Sequence, residues 1–262
     1  MTPKRIFITY GTKNFDLQKK HIINLAKSSN FFDECISYGP NDLQKSFVQK
    51  HENILRLEKG AGFWIWKYQI IKQTIDQLKE NDIVIYSDSG SSFNSKAKKR
   101  FFEYIEMIND SRFGNLRIQC EKQYIEKDWT IKELFNYFNI RFDSEIAQST
   151  QLEATQMIFK KNHDSMEYFK EYIGVIDHDM YLISDKFNSI NQAEGFIENR
   201  HDQSIFSLLS KIRGCVSIEN ETNFSSDPTK QYEYPFLSVR TCLLYTSPSP
   251  RDSFRSRMPS SA

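Results

Sequence analysis

The stretch Asn81–Phe93, NDIVIYSDSGSSF, constrains the fold more than any other part of the chain. Ile83, Val84, Ile85 and Tyr86 form an apolar run without alternation, bracketed by a polar turn and a Ser/Gly cluster. Such a run is the pattern of a strand buried on both faces, as in a mostly parallel sheet covered by helices on each side. In open α/β sheets the ligand crevice lies beyond the carboxyl ends of the strands. Asp88 follows this strand directly, so it stands where a catalytic or metal-binding carboxylate is expected. Asp, Ser and Gly are equally the ordinary residues of a turn, which leaves a purely structural account of Asp88 and Ser89 open.

The other segments supply what such a sheet needs. Arg5–Thr9 reads as a first, central strand whose end, Tyr10, Gly11 and Thr12, meets the ligand; there is no GxGxxG or GxxxxGKS fingerprint beside it. Further strands are expected at Glu34–Tyr38, Asn115–Cys120 and Glu153–Lys160. Helices are expected at Phe15–Lys27, with Leu17, Ile22, Leu25 and Ala26 inward, and at Asp42–Leu57, Ser95–Asn109, Asp128–Phe138 and Asp164–Ile173. Lys59-Gly60-Ala61-Gly62 breaks the second of these. The next helix, Trp64–Lys79, carries Trp64, Tyr68, Ile71, Ile75 and Leu78 as one apolar stripe. Trp64 and Trp66 lie about 200° apart on such a helix, so one of them leans toward a groove. Lys67, near a helix start, opposes the macrodipole, which suggests pairing with a phosphate; a solvated lysine is the plainer account.

A second cluster, Asn199, Arg200, His201, Asp202, Gln203 and Ser204, opens a helix whose apolar face is Ile205, Phe206, Leu208, Leu209 and Ile212. Asp202 is a natural N-cap there. The same group can also bind an anion, ligate a metal or hold a sugar hydroxyl.

Composition narrows the setting. With 39% hydrophobic and 26% charged residues the chain is of ordinary globular type, and 21 Phe and 13 Tyr against 9 Gly imply an aromatic core with few flexible loops. The end departs from this: Cys242–Asp252 resemble the in-frame translation of a transposon-based sequencing-library adapter, and Ser256–Ala262 the flow-cell primer that follows it. Residues 242–262 are therefore expected to be a non-native, disordered tail on a 1–241 domain truncated at its C-terminus. Setting aside Arg251, Arg255, Arg257 and Asp252 leaves 32 basic and 33 acidic residues, which predicts no general affinity for nucleic acid. Cys35, Cys120 and Cys215 are widely spaced and odd in number, fitting neither a disulfide framework nor a zinc site but a reducing compartment. No segment approaches the ~20 apolar residues of a membrane span, and the first apolar run is too short for a signal peptide. A cytoplasmic protein is expected.

In order along the chain, GFWIWK, DIVIYSDSG, QLEATQMIFKK and RHDQSIF resemble GT-A-type nucleotide-sugar glycosyltransferases of the kind found among polysaccharide genes. The resemblance spans roughly residues 3 to 225. It implies a single Rossmann-related α/β domain, with a central mostly parallel sheet flanked by helices. It implies too that a strand-end acidic motif, DxD, holds a divalent metal (Mn2+ or Mg2+) and the diphosphate of a nucleoside-diphosphate sugar donor, with a glycan or lipid-linked acceptor beyond. Asp88 matches the first acid of that motif, and Gly90 stands where the second would be. Asp88 with His201 would then hold the metal, beside Asp202. Tyr10, Gly11, Thr12, Trp64, Lys67, Ser89, Gly90 and Gln203 would line the donor side, and Glu153 to Gln156 the acceptor side. Lys67 and His201 are the candidate cations, and Asp202 or Glu153 the candidate acceptor base. Two other readings stay open: a catalytically inactive sugar- or nucleotide-binding relative, suggested by Gly90, and a metal-dependent phosphohydrolase, weakened by the lack of a second strand-end carboxylate.

Overall fold

The computed structural model describes residues 3–222 and 228–238; the expected tail, 242–262, lies outside them. In chain order the strands are β1 (Arg5–Tyr10), β2 (Glu34–Tyr38), β3 (Ile83–Ser87), β4 (Ser92–Phe93), β5 (Asn115–Gln119), β6 (Leu152–Lys160), β7 (Val216–Ile218) and β8 (Phe236–Leu237). The longer helices are α1 (Asp16–Ser29), α2 (Ile65–Asp76), α3 (Lys98–Asp110), α4 (His163–His178) and α5 (Asp202–Arg213).

Six strands form one sheet in the order β2-β1-β3-β6-β5-β7, while β4 and β8 pair separately. β1 runs parallel to β2 and β3, and β5 parallel to β7; β6 alone runs against its neighbours β3 and β5. This is the mostly parallel α/β sheet that the unalternated run at 83–86 called for. The reason is visible in the alternation of strand side chains between two cores. Ile6, Ile8, Val84, Tyr86, Met157 and Phe159 face the layer containing α2, α4 and α5. Phe7, Ile83, Ile85 and Ile158 face α1 and α3. Successive side chains point to opposite faces, so a strand covered on both sides must be apolar at every position, and all four residues from Ile83 to Tyr86 are fully buried.

Several expected boundaries move. The 42–57 segment is a 3-10 turn at Pro40–Asp42 and two short helices, Lys45–Lys50 and Glu52–Leu55, and 128–138 likewise divides into Glu126–Trp129 and Lys132–Tyr137. On α1, Leu17 is 56% exposed and Ile23 takes its place inside. The expected stripe on α2 is not a stripe: Ile65, Trp66, Lys67, Tyr68, Gln69, Ile70 and Ile71 are all buried, because this helix lies between the sheet and the helices above it. All-round burial of a helix is the mark of an interior element. Among the described residues no helix is long and apolar enough to cross a membrane.

Candidate active site

The reversal of β6 assembles the site. Because β6 is antiparallel to β3, with Ser87 opposite Gln156, the carboxyl end of β3 and the amino end of β6 lie on the same sheet edge. Asp88 and Glu153 are thereby brought to one rim, and the Asp88 N–H donates to the Thr155 carbonyl at 2.9 Å. Glu153 is 8% exposed. Its Oε1 accepts from Asn220 Nδ2 at 3.0 Å and Thr222 Oγ1 at 2.8 Å, while its Oε2 is buried with no hydrogen-bond partner. Burial pushes its carboxyl up to about 7, against the pull of the Thr222 and Asn220 donors and with a further push from Asp88.

Asp88 and Asp202 are joined by Lys67. The Lys67 ammonium lies 2.8 Å from Asp202 Oδ2 and 3.4 Å from Asp88 Oδ1, and donates to the Ala154 carbonyl at 3.0 Å. Two contacts through one nitrogen hold the carboxylate oxygens within about 6 Å of each other. Asp88 and Asp202, 114 positions apart in sequence, are thus close in space, but Asp202 stands behind the cavity wall and does not share one crevice with Asp88. Asp88 Oδ1 also accepts from the buried Tyr86 hydroxyl. Burial works against the Lys67 charge, but Asp202 and Asp88 outweigh it and hold the ammonium above its ordinary range. Burial pushes the Asp202 carboxyl up to about 6 in spite of Lys67. Asp202 is the first residue of α5 rather than its cap, a position taken by His201, and no side chain caps this helix.

His201 adopts φ 56°. Its Nε2 lies 2.7 Å from Asp185 Oδ1, and its ring stacks on Phe63 at 5.1 Å. Asp185 in turn pairs with Lys59 at 2.8 Å. These contacts brace an unusual stretch: Gly60, Ala61, Gly62, Phe63 and Trp64 all have positive φ, a left-handed turn directly before α2. Each non-glycine residue held there costs roughly 1–2 kcal/mol, and such conformations persist where surrounding contacts enforce them. The turn takes Trp64 out of the helix, leaving it half-buried, while Trp66 is buried against Tyr10 with ring centroids 3.8 Å apart and donates to the Gly60 carbonyl. The two tryptophans do separate as their spacing demanded, by a different route from the one expected.

A cavity of about 990 Å3 opens above this edge, at the upper end of the usual range for ligand sites. Of the residues expected at the site, Tyr10, Gly11, Thr12, Trp64, Asp88, Ser89, Gly90, Glu153 and Gln203 line it. Lys67, His201 and Asp202 do not; they stand behind the wall, committed to one another or to Asp185. Gly11 is required by close approach, since a Cβ there would meet Phe15 Cβ at 2.7 Å, whereas a Cβ on Gly90 would meet nothing within 4 Å. Residues that the sequence did not single out are Glu58, Glu121, Tyr124 and Asn220, on connecting segments with no periodic signal. Arg200 was visible only as a member of the cluster before α5.

Of the residues expected to hold Mn2+ or Mg2+, Asp88 alone lines the cavity. Asp88 offers one carboxylate to the cavity, Gly90 offers none, and Asp202 and His201 are engaged elsewhere. No group of three or more His, Cys, Asp or Glu side chains able to hold a metal occurs among the described residues. A hard dication takes about six oxygen ligands, most of which would have to come from water and phosphate oxygens, with Asp88 the one residue of the expected motif able to contribute.

No family model matches the sequence, and no curated protein matches it. Among solved structures, the fold is similar to that of a glycosyltransferase involved in the glycosylation of the major capsid of PBCV-1. That likeness has 13% identity and a TM-score of 0.51, over 98% of this chain and 100% of the other. Mouse xyloside xylosyltransferase 1 matches at 9% identity and a TM-score of 0.47, over 84% of this chain and 86% of its own. The galactosyltransferase LgtC, in complex with donor and acceptor sugar analogs, matches at 10% identity and a TM-score of 0.42, over 87% and 82%. Identities this low speak to the fold alone, so the chemistry rests on the site's own residues.

Proposed function

We propose that this chain is a glycosyltransferase that moves a sugar from a nucleoside-diphosphate donor to a hydroxyl of a glycan or lipid-linked acceptor. The observation that carries this reading is the placing of Asp88 and Glu153 on one sheet edge, facing one aromatic-walled cavity large enough for both substrates. The acceptor oxygen forms the new bond to the anomeric carbon as the bond to the diphosphate breaks, and the acceptor proton must go to a base. Glu153 is suited to be that base, because it lines the cavity and its carboxyl, at about 7, is basic enough to take a proton near neutral pH. Asp202 is the poorer candidate, being behind the wall and bound to Lys67. Asp88 is fixed by Tyr86 and Lys67 with its side chain 35% exposed, a rigid acceptor for hydroxyls of the donor sugar. The face of Trp64 offers packing for the base or the sugar ring.

Incubation of the protein with a panel of nucleotide sugars tests this. Slow release of free nucleoside diphosphate, accelerated by an acceptor, is expected. Gly90 in place of a second acid favours one rival, a relative that binds nucleotide sugars without turning them over; tight binding with no diphosphate release would establish that rival instead. Phosphate release from simple phosphoesters would overturn both.

A further inference from the structure

A departing diphosphate develops negative charge that a cation has to meet, and neither candidate from the sequence is available for it. Lys67 is held between Asp88 and Asp202, and His201 is paired with Asp185. Among the described residues lining the cavity, Arg200 carries the one lysine or arginine side chain, against the carboxylates of Glu58, Asp88, Glu121 and Glu153. Its position is built rather than incidental. The guanidinium carbon lies 4.1 Å from the Trp129 ring centroid and 5.4 Å from that of Tyr124. The Arg200 backbone N–H donates to the Trp129 carbonyl at 3.0 Å and to Ser204 Oγ at 3.2 Å, which fixes where the side chain starts. Stacking on an aromatic face orients a guanidinium through its plane and leaves the donors on its edge for other partners. The Nε is buried without a hydrogen bond and forms an ion pair at 3.7 Å with Glu198, which does not line the cavity.

We propose that Arg200 is the diphosphate-binding residue of this site, its edge donors forking onto phosphate oxygens while Trp129 and Tyr124 hold its plane. This rests on the nucleotide-sugar reading above. A planar fork matches phosphate geometry in a way that a point charge does not. It also gives the strand-end site a cation of its own where Gly90 stands in place of a metal-ligating acid.

The test is calorimetric titration of the full chain, in buffer containing Mg2+ throughout, with UDP and GDP and with uridine and guanosine as controls. R200M keeps a long side chain over Trp129 and removes the charge. It is expected to weaken diphosphate binding about 10- to 100-fold, as for a lost charged hydrogen bond, to leave nucleoside binding within about twofold, and to leave the thermal midpoint unchanged. R200K, which keeps the charge without the fork, is expected to recover part of the loss; it is read alone if R200M does not fold, with a diphosphate-specific weakening expected. Equal losses for diphosphate and nucleoside, or unchanged diphosphate binding, would overturn the assignment. Wild-type protein that binds neither diphosphate would overturn the donor reading itself.

Discussion

Two side chains illustrate how burial reassigns chemistry that residue type only suggests. Glu153 is an ordinary strand glutamate in the sequence, yet burial raises its carboxyl to about 7, against the Thr222 and Asn220 donors that pull it down. A carboxyl raised in the fold is stabilised in its protonated form, so this contribution to stability is present below the ordinary value near 4.5 and is lost as pH rises toward 7. Glu153→Gln is expected to remove that slope, worth up to about 3 kcal/mol between the two ends of the window, as read by urea unfolding at stepped pH. The same variant is expected to lower kcat about 10^2- to 10^4-fold and to abolish the rise of activity through pH 7; a retained rising limb would assign the base elsewhere. Lys67 shows the converse. On sequence it is a solvated or phosphate-facing lysine whose loss would leave stability alone, but its side chain is 4% exposed and neutralises two carboxylates. Lys67→Met leaves buried Asp202 unpaired and is expected to cost about 3–5 kcal/mol. A loss below about 1 kcal/mol in chemical denaturation would show that the pair is not coupled.

Among the elements, the strands and the helices α1, α3 and α5 were legible, and the segments 40–64 and 124–148 were not. β1, β2, β3, β5 and β6 lie within a residue or two of their expected bounds, because an apolar run ended by turn residues has few other uses. The helix before β3 was legible in kind but not in its start. Its first expected residue, Trp64, belongs instead to the left-handed turn 60–64, which suits Gly60 and Gly62 but not Ala61, Phe63 or Trp64, and which the Lys59, Asp185 and His201 contacts brace. Trp64→Ala is therefore expected to cost well under the about 3–5 kcal/mol of a core aromatic truncation. Ala61, at φ 51° and ψ 54°, bears the strain most simply. Ala61→Gly is expected to stabilise the fold by about 1 kcal/mol, measured as a raised midpoint in urea. A destabilised variant would mean that the turn is relaxed.

At the scale of the whole molecule, the far wall of the site depends on chain that returns late. β8 pairs with β4, and Phe236, 1% exposed, stacks on Tyr104 at 6.2 Å with its edge near Phe93. The next residue but one, Ser238, lines the cavity, and its N–H donates to the carbonyl of Thr222, which itself holds Glu153. Phe236→Ala is expected to cost about 3–5 kcal/mol and to loosen that wall; thermal unfolding at unchanged midpoint would mean the return strand is an ornament to the core.

By itself the sequence determined a sheet buried on both faces, Asp88 at a strand end and an amphipathic helix opened by Asp202, because periodicity and turn chemistry are local properties of the chain. Only the tertiary structure decided that β6 runs backwards, which sets Glu153 beside Asp88. It decided as well that Lys67 is spent between two carboxylates and that, among the described residues, Arg200 is the cation left facing the cavity. Those outcomes depend on which groups lose water and which charges meet across long stretches of chain, and desolvation and Coulomb pairing are set by position in space rather than by order along the backbone.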